Sequence, residues 1–164
     1  MSHGDTKIVN HSARTIAGLQ IITSSSFDVE NFEMKDVPQL WELFWKRFPE
    51  LNIEPNGTCF AVASPVGQEV PPLKVHYLAG VEVDPEAALP EGFVAIDVPA
   101  GNYLHFTHQG SFATLDNSFR EVYLTWFPKS GLVQRIAPHI EMYDHRSAAP
   151  ETDTAEMDIL IPVE

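Results

Sequence analysis

Residues 37–49, VPQLWELFWKRFP, and residues 110–131, GSFATLDNSFREVYLTWFPKSG, decide the architecture, because both read as amphipathic helices that stop at a Phe-Pro pair. In the first, Leu40, Leu43, Phe44 and Phe48 recur at helical spacing, Trp41 and Trp45 widen the stripe, and Pro49 forces a stop. In the second, Ser111 is placed to cap the start. Phe112, Leu115, Phe119, Val122, Tyr123 and Trp126 form its stripe, and Pro128 and Gly131 end it. Superposing Phe48-Pro49 on Phe127-Pro128 lays Leu40 on Phe119, Leu43 on Val122 and Phe44 on Tyr123. The two core stripes coincide without a gap.

Strand-like stretches surround each helix, at 14–28, 58–64 and 74–84 about the first and at 93–108, 138–144 and 156–163 about the second. The order β-α-β-β therefore occurs twice, and an α+β fold of tandem duplicated modules is expected, with repeats 14–84 and 93–163 inside one domain 14–164. The acidic, proline-bearing stretch DPEAALPEGF is the expected linker. Residues 1–13 are read as a flexible N-terminal tail. The same superposition places Phe27 on Phe106 and Val62 on Glu141, so a position that is apolar in one module is ionisable in the other.

The 164 residues suffice for one core, and 44% of them are apolar. Ten Lys and Arg stand against 23 Asp and Glu, a net charge of −13 that repels phosphate backbones and anionic membranes. Neither nucleic acid nor a membrane is an expected partner. No apolar run is long enough to cross a bilayer, and the polar start MSHGDTKIVNHSAR lacks the order of a secretory signal, so a cytoplasmic location is expected. The single cysteine, Cys59, sits in the apolar run CFAVAS and reads as packing.

No metal or cofactor is expected. His105 and His108 are three apart on a strand and face opposite ways, while His139 and His145 share a face only if the strand runs on through Arg146. The chain has no glycine-rich phosphate loop, no G-x-S-x-G elbow and no H-E-x-x-H.

The stretch PHIEMYDHR, 138–146, poses the functional question. Alternation sends Ile140 and Met142 one way and His139, Glu141 and Tyr143 the other. Either the second face is the wet side of an edge strand, or it lines a pocket while Ile140 and Met142 meet the helix-packed core.

VHYLAGVEVD, LPEGFVAIDVPAGNYLHFTHQGS, YLTWFPKSG, PHIEMYDHR and ETDTAEMDILIPVE, taken in this order and spacing over about residues 14–163, resemble the GyrI-like small-molecule-binding domain, the effector-binding domain of AraC-type regulators. The resemblance implies two modules about a pseudo-twofold axis, an antiparallel sheet with two main helices, and a pocket between the modules. It implies that Glu141 is the pocket carboxylate, with Tyr143 as its partner. His139 departs from the family, which often has a small or aromatic residue there.

A carboxylate among rings suits a flat cation, so Glu141, Tyr143, Trp126 and Tyr103 form the expected receptor, with His139, Phe106, Trp41 and Trp45 as further candidates. Core packing is the competing reading for Trp126, Trp41 and Trp45. The implied function is a stand-alone module that binds aromatic, lipophilic, cationic compounds and either signals to a separate regulator protein or sequesters them. The alternative is a hydrolase of strained electrophilic small molecules in which Glu141 and Tyr143 are catalytic.

Overall fold

A computed structural model describes residues 7–25, 27–28, 30, 36–68 and 72–164. In chain order its elements are β1 (Lys7–His11), β2 (Arg14–Ser24), α1 (Asp36–Arg47), β3 (Cys59–Pro65), β4 (Lys74–Val83), β5 (Val94–Val98), β6 (Gly101–Gln109), α2 (Leu115–Glu121), α3 (Phe127–Ser130), β7 (His139–Tyr143) and β8 (Glu156–Val163). The strands form one eight-stranded sheet in the order β1-β6-β8-β7-β3-β4-β2-β5, and every pair in it is antiparallel. The fold is α+β, as expected.

The order reads the same when the halves are exchanged. β6, β8 and β7 of the second half mirror β2, β4 and β3 of the first, and β7 pairs with β3 along the middle. The outer strands are swapped between halves. β1 leads into β2 yet pairs with β6, and β5 leads into β6 yet pairs with β2. The expected tail thus supplies a strand, Lys7 to His11 lying against His105 to Gly101. Its pairing is a main-chain event at the open edge of β6, and KIVNH carries no strong apolar alternation that would reveal it.

Only Ser12 and Ala13 separate β1 from β2, and only Pro99 and Ala100 separate β5 from β6. In a flat sheet β1 and β2 would stand six spacings apart, roughly 29 Å, whereas a two-residue link spans about 11 Å at most. The sheet must therefore curl until its ends approach each other. Inside the curl lies one cluster drawn from both ends and the middle, including Ile16, Phe60, Val62, Leu78, Tyr103, Ile140 and Leu160. Outside it lie two clusters, one under each helix. Leu40, Phe44, Ala61, Tyr77 and Phe93 belong to the first, and Phe106, Phe119, Tyr123, Met157 and Ile159 to the second.

Gly18 and Gly80 face each other across β2 and β4, where a Cβ on Gly18 would come 1.8 Å from the Ala79 carbonyl oxygen. Glycine lets the two backbones approach at the bend.

Helix α1 ends as expected. A 3-10 turn at Phe48–Leu51 carries Pro49, and Asn52 closes it in the left-handed region at φ +59, its N–H donating to the Pro49 carbonyl. The second helix is broken where continuity was expected. Ser111 caps a 3-10 turn at Phe112–Thr114 through the Ala113 N–H, α2 follows, and Val122–Trp126 is a π turn in which the Phe127 N–H reaches the Val122 carbonyl. Pro128 explains the widening, because its ring crowds the carbonyl four residues back and it has no N–H to donate. The expected strand 93–108 is likewise split at Pro99-Ala100 into β5 and β6.

The helix superposition does not carry into the strands. Val62 lies inside the curl, opposite Ile140, while Glu141 faces the helices opposite Ala61. Phe27 follows β2 rather than lying within it, whereas Phe106 is central to β6. β3 and β7, like β4 and β8, keep their faces with an even offset whereas β2 and β6 keep theirs with an odd one, and loops of unequal length absorb the differences. Ile140 and Met142 accordingly face the inside of the curl, not the helix-packed side.

Candidate functional site

Alternation along β3 sends Phe60 and Val62 into the curl and leaves Ala61 and Ala63 on the helix side, with Ala79 of β4 beside them. The small side chain of Ala63 leaves space beneath the two helices. The space is a cavity of about 870 Å³, walled by Trp41 and Trp45 of α1 on one side and by Phe112, Phe119 and Tyr123 on the other.

Glu141 projects from β7 into this cavity. Because β7 lies between β3 and β8 in the middle of the sheet, it is no wet edge strand, and Glu141 is only 6% exposed. Its Oε1 accepts hydrogen bonds from Tyr143 and, at 3.4 Å, from the Tyr77 hydroxyl, whose oxygen in turn accepts the Trp41 indole N–H at 3.1 Å. Burial pushes the Glu141 carboxyl above its ordinary range, and the bonds from Tyr143 and Tyr77 pull it only part of the way back. Burial and the nearby carboxylate push both phenols well up, so they remain donors.

Tyr143 is the hinge of the site. Its ring meets Trp41 of α1 edge-on at 5.6 Å and Phe112, ahead of α2, at 5.7 Å, and it packs on both outer clusters.

His139 lines the same wall two residues before Glu141, with Nδ1 3.3 Å from the Tyr123 hydroxyl and its ring 5.4 Å from that of Phe119. Burial lowers its pKa to about 4, so it is neutral at physiological pH. Cys59, paired with Tyr143 across β3 and β7, also lines the cavity, and burial pushes its thiol up to about 11. It is a packing thiol, not an activated nucleophile.

Of the candidates, Glu141, Tyr143, His139, Trp41 and Trp45 line the cavity together. Trp126, Tyr103 and Phe106 do not. The widened π turn carries Trp126 out of line with Phe119 and Tyr123, to a separate hollow beside Lys7, Leu104 and Lys129. Tyr103 has the opposite strand parity and lies inside the curl, its hydroxyl donating to the Pro99 carbonyl at 2.8 Å and its ring beneath Arg135. Phe106 faces the helices but is sealed under α2 in the second cluster.

Tyr77 was not a candidate. The signal for it lay in cross-strand pairing, since Ala63 has Tyr77 on one side and His139 on the other, and a ring reaching over an alanine arrives at Glu141.

The charge on the walls has one sign. Glu54, Glu82, Asp116, Glu141, Asp144 and Glu151 border the cavity, and among the described residues no Lys or Arg does. Asp116 and Asp144 are ion-paired to Arg120 and Arg146.

An aromatic cavity between two modules, built around one buried carboxylate, agrees with a match to the family of GyrI-like small molecule binding domains over residues 5–164. The chain belongs to that family. It is 29% identical over 157 residues to the transcriptional regulator BrlR of Pseudomonas aeruginosa, an alignment that covers 96% of this chain and 54% of BrlR. The chain thus spans about half the length of that relative. Among solved structures, SAV2435 bound to tetraphenylphosphonium superposes with a TM-score of 0.73 at 16% identity, covering 98% of this chain and 94% of that one. The EcmrR C-terminal domain superposes at 0.69 and 14% identity, covering 98% and 97%. These likenesses bear on the fold. Among the described residues no helix is long and apolar enough to cross a membrane.

Proposed function

We propose that this small-molecule-binding domain is a receptor for aromatic, lipophilic cations, which it senses on behalf of a separate regulator protein or sequesters. The observation that carries the reading is the buried Glu141 carboxyl facing an aromatic cavity whose charged border, among the described residues, is acidic. Desolvation makes the empty carboxylate costly, and a bound cation relieves that cost. Each well-placed ring adds on the order of 0.5 to 2 kcal/mol of cation–π attraction, and Trp41, Trp45 and Tyr143 are the rings nearest at hand. That SAV2435 holds tetraphenylphosphonium supports the choice of that cation as the first probe.

Titration calorimetry with tetraphenylphosphonium tests the reading directly. Binding that falls at least tenfold in Glu141→Gln while the fold persists is the expected result. Absence of binding, or affinity unchanged by the substitution, would overturn it.

A hydrolase remains the second reading, favoured by one observation. The Tyr143 hydroxyl donates to a carboxyl of raised pKa, a pair able to serve as general acid and base. Incubation with epoxide and cyclopropane substrates separates the two, because only the enzyme gives product that disappears in Glu141→Gln.

A further inference from the structure

The cavity has a second polar locus that the cation reading leaves unused. His139 stands on the same face of β7 as Glu141 and two residues away, a separation of about 7 Å along an antiparallel strand. Its ring is fixed between the Tyr123 hydroxyl and the Phe119 ring. Hydrogen-bonding partners determine its tautomer. The Tyr123 hydroxyl, 3.3 Å from Nδ1, is such a partner: with its O–H donating to Nδ1, the imidazole proton resides on Nε2. Among the described residues Nε2 makes no hydrogen bond, and His139 lines the cavity. A neutral N–H donor therefore faces the cavity, where a protonated ring would repel a cation.

We infer that His139, oriented by Tyr123, is a specificity-determining residue that selects aromatic cations carrying a hydrogen-bond acceptor, a carbonyl or ether oxygen, about 7 Å from the cationic centre. The inference rests on the cation reading above. A ligand of this class places its charge at Glu141 and its oxygen at His139 Nε2, filling the cavity from the α1 wall to the α2 wall. An acceptor-free cation of the same size leaves the Nε2 donor without a partner.

The test uses three phosphonium probes on the full chain: tetraphenylphosphonium, its 4-acetyl derivative, and its 4-isopropyl derivative as an apolar isostere. Calorimetry on the native protein should give about tenfold tighter binding of the acetyl compound than of the isopropyl compound, the effect of one hydrogen bond made to a desolvated donor. His139→Phe keeps the ring and removes the donor, so it should abolish that preference, read as the ratio of acetyl to isopropyl affinity within the variant. Tyr123→Phe frees the tautomer and should shrink the preference, which gives a second variant should His139→Phe fail to fold. Equal binding of the acetyl and isopropyl compounds to the native protein, or a preference that survives His139→Phe, overturns the inference and leaves the cation reading standing. Failure of every phosphonium to bind overturns both.

Discussion

At Glu141 the opposing terms can be ranked. Burial raises its pKa and the two phenolic donors lower it, and the net direction is upward, so the folded chain holds this proton to a higher pH than the unfolded chain does. Linkage then fixes the sign. Stability falls as pH rises from the ordinary carboxyl range through the raised folded value, and the cost is fully present above it. Glu141→Gln should therefore melt at a higher temperature than the native chain at pH 7.5, with the difference shrinking toward pH 4, as differential scanning calorimetry at the two pH values would show. A lower melting point at pH 7.5 would mean that the carboxylate is a net structural asset. Binding runs the other way. A permanent cation binds the deprotonated carboxyl, so its affinity should climb with pH through the raised Glu141 value and level off above it, a slope that Glu141→Gln removes. The same ranking applies to His139, where burial depresses the pKa to about 4. Its neutral form contributes stability that is present above its ordinary pKa and is lost as pH falls toward 4. Replacing it with Phe should soften the acid limb of the stability profile.

At the scale of the elements, the sheet's bend depends on backbone approach more than on side chains. Gly18 and Gly80 meet where any Cβ would strike the opposing main chain, so Gly18→Ala should cost on the order of 2 to 3 kcal/mol in urea unfolding, well beyond an exposed Gly→Ala change in a strand. A cost under about 0.5 kcal/mol would show the bend to be slack. This feature also marks how far the sequence could be read. Both helices, the duplicated β-α-β-β order and the placement of Glu141 and Tyr143 on one strand face were legible, since apolar spacing and family-like motifs are local signals. The extra strand Lys7–His11, the break at Pro99 and the π turn before Pro128 were not, because main-chain pairing and curvature leave no periodic trace. The face of each strand was the subtlest loss. A helix superposition gave an odd offset, β3 and β7 needed an even one, and the error set Val62 in place of Ala61 as the counterpart of Glu141. Tyr103, a candidate as a ring alone, lies on the far side of its own strand from the cavity. Tyr77 was missed because its link to Glu141 is a diagonal across β3, which depends on strand pairing.

On the scale of the whole molecule, the two halves are locked together three times over. β1 belongs by sequence to the first half and pairs with the second, β5 does the reverse, and β3 joins β7 from Cys59 opposite Tyr143 to Ala63 opposite His139. The cluster inside the curl takes Ile16, Phe60, Val62 and Leu78 from one half and Val98, Tyr103, Ile140 and Leu160 from the other, so neither half owns a complete core. An isolated half would leave strand edges unpaired and one face of its sheet in water, a loss that modules of this size have no reserve to absorb. Unfolding should accordingly be a single cooperative transition despite the duplicated order. The tryptophans report on the two halves separately, with Trp41 and Trp45 in α1 and Trp126 in the π turn. In a Trp126→Phe variant the fluorescence follows the first half alone, and in a Trp41→Phe, Trp45→Phe variant it follows the second. Urea midpoints from both variants, each corrected by its own far-ultraviolet circular dichroism curve, should coincide. Two separated transitions, or a folded fragment 14–84, would show that the halves are autonomous, and a cavity whose walls come from both would then be a docking gap rather than part of one core.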